Sequence, residues 1–158
     1  NNYFLVDENG RVINKISPFS DPLVASQKVR IFADDCVRMV LNIDFVHYRT
    51  QLSNAEQCFT RRGYLRIVNL LKDRGILAEL SAGYNIGSVV PNQANFIRSR
   101  SGGEGKQKWL VKGDYLWSLK RGKNTTQYPL TVEAMIIEVA MTDSIYGLAI
   151  DSLVIRKR

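Results

Sequence analysis

Histidine is almost missing from this chain: one residue of 158, beside two cysteines and four prolines. A lone imidazole, His47, excludes a multi-histidine metal centre and leaves proton-transfer chemistry a single candidate. Two cysteines, Cys36 and Cys58, are too few for a disulfide scaffold. Each lies in an apolar helical context, which favours a buried thiol over a bond. With 11 glycines and 45% hydrophobic residues, disordered and collagen-like readings fail. No run approaches the roughly 20 apolar residues of a membrane span. The densest, from Val132 to Met141, is interrupted by Glu133 and Glu138. The chain opens on Asn1-Asn2 with neither an initiator Met nor a signal-like segment, which reads as a processed chain or a piece of a longer one. What remains is a single domain, residues 1–158, with ample core-forming material.

Charge is present and uneven. The chain carries +7, and eight basic residues against two acidic ones put +6 between Arg98 and Lys123. Such a field attracts phosphates, anionic lipid or an acidic protein surface. The plainer reading is a solvated edge hairpin, because charged side chains keep exposed strands from pairing with other chains.

Periodicity supplies the elements. Tyr3 to Val6, Asn9-Gly10 and Val12-Ile13 read as a β-hairpin. Ser20-Asp21-Pro22 starts a helix of about five turns, whose apolar face is Ala25, Val29, Phe32, Ala33, Cys36, Val37 and Val40. Ser53-Asn54-Ala55-Glu56 fits a capping box for a short helix. Thr60 caps another, with Tyr64, Leu65, Val68 and Leu71 on one face and Gly75 as its stop. Arg61 and Arg62 oppose that helix's dipole, so helix stability does not explain them. After Gly75 the period changes to two. A weak strand over 83–100 is followed by a clear one through Trp109, Val111, Tyr115, Trp117 and Leu119. A third runs from Thr125 to Met141 with a bulge at Pro129, and a fourth from Gly147 to Ile155. Helices followed by hairpin-linked strands predict an α+β fold, a curved four-stranded antiparallel sheet packed on N-terminal helices like the cone of nuclear transport factor 2.

Chemistry-bearing motifs are scarce. Asp44 and His47 could meet on a helical turn, but no nucleophile is marked beside them. Asp34-Asp35 point apart on a helix, without further ligands. Gly102 to Lys106 fails as a phosphate loop because Gln107 stands at the Ser/Thr position and a strand follows. Trp109, Tyr115 and Trp117 among lysines could stack on single-stranded nucleic acid, but their common parity places them in a core instead. No catalytic residue, metal or cofactor is assigned.

The segment from Asn42 through Asp44-Phe45-Val46-His47-Tyr48-Arg49 to Leu52, followed by Phe59-Thr60 and Gly63-Tyr64, resembles the DotI/IcmL/TraM family of type IV secretion and conjugation systems. The opening Tyr-Phe strand, the Asn-Gly-Arg turn, Pro18 and the Gly147 to Ile150 strand sit where that family has similar elements. The resemblance implies a bacterial inner-membrane protein, anchored by one helix outside this chain, with this domain in the periplasm and similar in fold to VirB8. It implies an assembly scaffold rather than an enzyme, with homo-oligomers and other secretion subunits as partners. An oxidising periplasm would permit a bond between Cys36 and Cys58. A scaffold needs surfaces, and the candidates are Arg61, Arg62 and Arg66 together with Arg98, Arg100, Lys106, Lys108, Lys112, Lys120 and Arg121. Asp44, Phe45, His47, Tyr48, Arg49 and Leu52 read as structural, joining helices to sheet. Two rivals remain: a small-molecule enzyme with a pocket around His47, and a basic-surface binder of DNA or anionic lipid.

Overall fold

The Asp21 carboxylate accepts the backbone N–H groups of Leu23 and Val24 and, with Pro22 at the first helical position, starts α1 (Pro22–Leu41). The computed structural model describes the backbone of residues 3–6, 12–16, 19–83, 85–102, 106–144 and 146–158, and the side chains of these except 3–6, 12–16, 79 and 81–83. Ahead of α1, strands β1 (Tyr3–Val6) and β2 (Val12–Ile16) pair antiparallel. The expected Asn9-Gly10 turn, Pro18 and the segment Gly103-Glu104-Gly105 lie outside the described residues. The predicted apolar face of α1, from Ala25 to Val40, is buried, and Leu41 extends it.

Beyond α1 the helices depart from the sequence reading. α2 (Tyr48–Ala55) begins earlier than the capping box implied, so Ser53 lies in its last turn and caps nothing; a short 3-10 turn, Glu56–Cys58, follows. The Asp44 carboxylate has already accepted the N–H groups of Val46 and His47 and turned the chain into α2. Thr60 does cap α3 (Arg61–Asp73), its Oγ1 accepting the Gly63 N–H at 3.0 Å. Leu65 is exposed and the buried line is Gly63, Ile67 and Leu71. The period-two reading after Gly75 is corrected by α4 (Ile76–Gly83). That run has one charged residue, Glu79, and a short apolar stretch fits either period.

The sheet comprises β3 (Ile86–Pro91), β4 (Phe96–Ser101), β5 (Lys108–Arg121), β6 (Asn124–Glu138) and β7 (Leu148–Lys157), all antiparallel. Five strands replace the expected four because the 83–100 segment splits. β3 pairs with residues 115–120 of β5 and β4 with 108–112, so both lie along one edge and the sheet stays four rows wide. Gly122, at φ 59°, and Lys123 form the two-residue β5–β6 turn. Pro129 makes no bulge, pairing in register with Leu116. On its other side the register with β7 ends at Leu130, and just beyond it the Pro129 carbonyl accepts the Arg158 N–H at 2.9 Å, so the proline sits at the end of that ladder. The irregularity in β6 falls instead at Met135/Ile136.

One sheet face closes on α1. Trp109, Val111, Tyr115, Trp117 and Leu119 alternate inward with Val132, Ala134 and Ile136 opposite them. Burial of this set is the main stabilising term, at about 1.5–3 kcal/mol for each large side chain. Two polar side chains inside are pinned to α1: Trp117 Nε1 donates to the Leu41 carbonyl at 2.9 Å and the Tyr115 hydroxyl to Asp34 at 3.0 Å. Burial and the Asp34 charge push the Tyr115 phenol well above its usual range.

The free-thiol expectation is also corrected. Cys36 on α1 and Cys58 in the 3-10 turn form a disulfide across 22 residues, with Cα atoms 5.9 Å apart. Their apolar contexts are two faces of the same contact, a pairing that sequence spacing does not reveal.

Candidate interaction surfaces

The family-like motif becomes a splice between helix and sheet. Asp44 bridges Ile86, the Gly87 N–H donates to the Ile43 carbonyl at 2.7 Å, and the Val89 N–H donates to Asn42 Oδ1 at 2.7 Å. Gln51 holds Asp44 from both sides, accepting its N–H and donating to its carboxylate. The His47 ring stands 3.1 Å from Asp44 Oδ1. Burial raises the Asp44 carboxyl, but the N–H groups of His47 and Val46 and the His47 ring outweigh it and hold the group below its ordinary range. Leu52 is buried, Phe45 and Tyr48 are half-buried, and Arg49 lies over the Tyr48 ring at 5.6 Å. The His47 side chain is 68% exposed and faces solvent.

A second junction clamps α3 to β7. The Thr60 N–H donates to the Ile150 carbonyl at 3.0 Å, and its hydroxyl donates to Asp151 at 2.9 Å. Arg62 donates to the other Asp151 oxygen, which explains a cation that helix stability left unexplained. Gly63 lies so close to β7 that a Cβ there would meet the Ile150 carbonyl oxygen at 2.3 Å. Burial raises the Asp151 carboxyl, but hydrogen bonds from Arg62 and Thr60 and the Arg62 and Arg66 charges reverse the shift and hold it below the usual carboxylate range. A depressed native pKa adds stability above the unfolded value and loses it as pH falls through the folded one. Asp151→Asn is therefore expected to lower stability at neutral pH and to flatten the acid limb below about pH 4. Urea midpoints from about pH 2.5 to 7 test this; parallel curves for the two proteins would refute it.

Sequence reasoning named Gly63 in the family-like segment without seeing its packing role, and it missed Asp151. A glycine in the first turn of an amphipathic helix is costly unless backbone approaches it, and that was the available signal. Asp151 alone in an apolar strand gave a weaker one.

The basic candidates separate into three places. Arg61, Arg62 and Arg66 lie on α3 beside β7, at the sheet edge opposite β4. Arg98 and Arg100 on β4 neighbour Lys108 and Lys112 on β5, with Lys106 in the preceding loop. Lys120 and Arg121 sit at the far end of β5, roughly 40 Å from Lys108 at about 3.3 Å per residue. Lys108, Lys112 and Lys120 share the strand parity opposite to the buried tryptophans. They look out from the sheet face turned away from α1, where Arg98 pairs with Glu133 at 3.3 Å. Apolar side chains share this face: Val90 is 54% and Phe96 52% exposed, and Leu110, Leu116, Met135 and Val154 are half-buried. Trp109 and Trp117 are 1% and 4% exposed, so neither ring can stack on a base.

Clefts of about 740, 570, 540 and 340 Å³ lie elsewhere, and His47 lines none of them. The largest runs along α1 past Ile31, Phe32 and the disulfide to Met141 and Tyr146. No group of three or more metal-ligating side chains gathers among the described residues.

Three solved structures share this arrangement. The periplasmic domain of DotI superimposes with a TM-score of 0.80 at 22% identity, over 90% of this chain and 100% of that one. A periplasmic fragment of TraM gives 0.77 at 20% identity, over 84% and 97%. CagV, a VirB8 homolog from Helicobacter pylori strain 26695, gives 0.61 at 6%, over 82% and 98%. Identities this low establish the shared α+β fold. No curated protein matches the sequence. The family model for the type IVb secretion system inner-membrane complex component, DotI/IcmL, matches residues 1–157. The chain belongs to that family of type IV secretion and conjugation components.

Proposed function

We propose that residues 1–158 form a single periplasmic domain of a membrane-anchored protein and act as a non-enzymatic assembly component of a type IV secretion or conjugal DNA-transfer apparatus. The observation that carries this reading is the open sheet face. Phe96 stands exposed there opposite Lys112, near Arg98 and Lys108, and Val90 lies farther along the same face opposite Leu116, the mixture of apolar anchors and cations that suits protein contacts. Arg61 and Arg66 on the opposite edge offer a second contact, so one domain can touch two neighbours, as homo-oligomers and mixed inner-membrane complexes require. The Asp44 motif supports this indirectly by fixing the sheet to the helices. His47, exposed, paired with Asp44 and lining none of the four clefts described above, gives the enzyme rival little support.

The experiment is photo-crosslinking in intact membranes, with a benzophenone side chain at Lys112 and, separately, at Arg66 of the full-length protein. Capture of a second copy and of other secretion subunits at either position is the expected result. Capture of DNA alone, together with an affinity for DNA or anionic vesicles that falls steeply between about 50 and 200 mM salt, would overturn it in favour of the basic-surface binder.

A further inference from the structure

At the end of the sheet away from the disulfide, a cleft of about 340 Å³ opens between the helices and strands β5 to β7. Its walls are Leu41, Leu70, Ile76, Trp117, Leu130 and Ile155. Only two lining residues are charged, Arg74 at the end of α3 and Lys157 at the end of β7, and both are cations. Neither has a carboxylate within 4.0 Å among the described residues. Lys157 instead lies over the Tyr128 ring at 4.5 Å, which holds the ammonium at the rim. The Trp117 N–H is already bonded to the Leu41 carbonyl, so the indole offers the cleft an apolar surface.

An apolar slot with two cations at its mouth and no carboxylate among its lining residues is complementary to a molecule with an aliphatic body and one anionic end. A cationic ligand would add a third positive charge beside them. At about 30 Å³ per heavy atom, the share of a water molecule in the liquid, the slot holds roughly 11 heavy atoms. That is room for a medium acyl chain.

We propose that this cleft binds small anionic amphiphiles, with the carboxylate or a similar head between Arg74 and Lys157 and the chain against Trp117, Leu130 and Ile155. The proposal is independent of the assembly role, because none of these residues is among those assigned to the two candidate protein-contact surfaces.

Decanoate is the probe, titrated into the domain while Trp117 fluorescence and heat are recorded. Saturable one-to-one binding is expected, at least tenfold tighter than for decyltrimethylammonium, which has the same chain and the opposite charge. Arg74→Gln and Lys157→Gln should each weaken decanoate by about fivefold, the scale of one partly exposed ion pair, without lowering the melting temperature. Lys112→Gln, on the open sheet face, should leave binding unchanged. Equal binding of the two amphiphiles, undiminished decanoate binding by both cation variants, or no saturation below the aggregation concentration of decanoate would each overturn the assignment.

Discussion

Gly63→Val should be the most damaging single substitution outside the apolar core, lowering stability by about 3 kcal/mol, the upper end of overpacking costs. A Cβ at this position would stand 2.3 Å from the Ile150 carbonyl oxygen and 3.1 Å from the Asp151 carbonyl carbon and oxygen. The obstructing atoms are backbone, so no rotamer change relieves the clash. Either α3 moves off β7 or the strand deforms, and each breaks the Thr60 and Arg62 bonds to Asp151. Alanine should cost less, about 2 kcal/mol, because its gain of roughly 1 kcal/mol in helix propensity offsets part of the strain. For a domain of this size the valine variant should melt about 8 °C lower. Gly75→Ala is the internal control. Gly75 has φ 69° with no atom within 4 Å of a built Cβ, so only the left-handed backbone penalty of about 1 kcal/mol applies. Chemical denaturation that ranked Gly75→Ala below Gly63→Val in stability would show that α3 does not sit against β7 as described.

Reduction of the Cys36–Cys58 bond should cost about 3 kcal/mol, the chain-entropy value for a loop of some 22 residues. Both cysteines are buried, so the reductant acts mainly on the unfolded chain and shifts the denaturation midpoint. Cys36→Ala combined with Cys58→Ala should shift it further, since two buried sulfurs are also lost from contact with the core. Alkylation of the denatured, unreduced protein should find no free thiol. Two free thiols per chain would refute the bond, and coincident denaturation curves with and without reductant would refute its contribution. The bond also bears on location, because an oxidising compartment preserves it whereas cytosolic thiol systems would not. Its presence in protein trapped with an alkylating reagent directly from cells is the result expected of a periplasmic domain.

These two sites mark where sequence reading stops. The α1 face was legible because seven apolar residues at spacings of three and four admit only one arrangement. β5 was legible for the same reason at a spacing of two, and its parity correctly sent Trp109, Tyr115 and Trp117 inward. α4 was not legible: its run carries almost no polar residue, so no period stands out. The start of α2 was missed because the signal lies in a carboxylate four residues upstream, not in the Ser53-to-Glu56 pattern.

By itself the sequence determined the α+β class, the long helix under an antiparallel sheet and, through the Asp44-to-Tyr64 motif, the secretion family. These are written in local periodicity and residue order. Only the tertiary structure decided the disulfide, the Arg62–Asp151 clamp, the dispersal of the basic residues over three places and the cationic mouth of the small cleft. Each joins or separates residues far apart in the chain, and the registers that set those distances come from packing between elements, which no local pattern encodes.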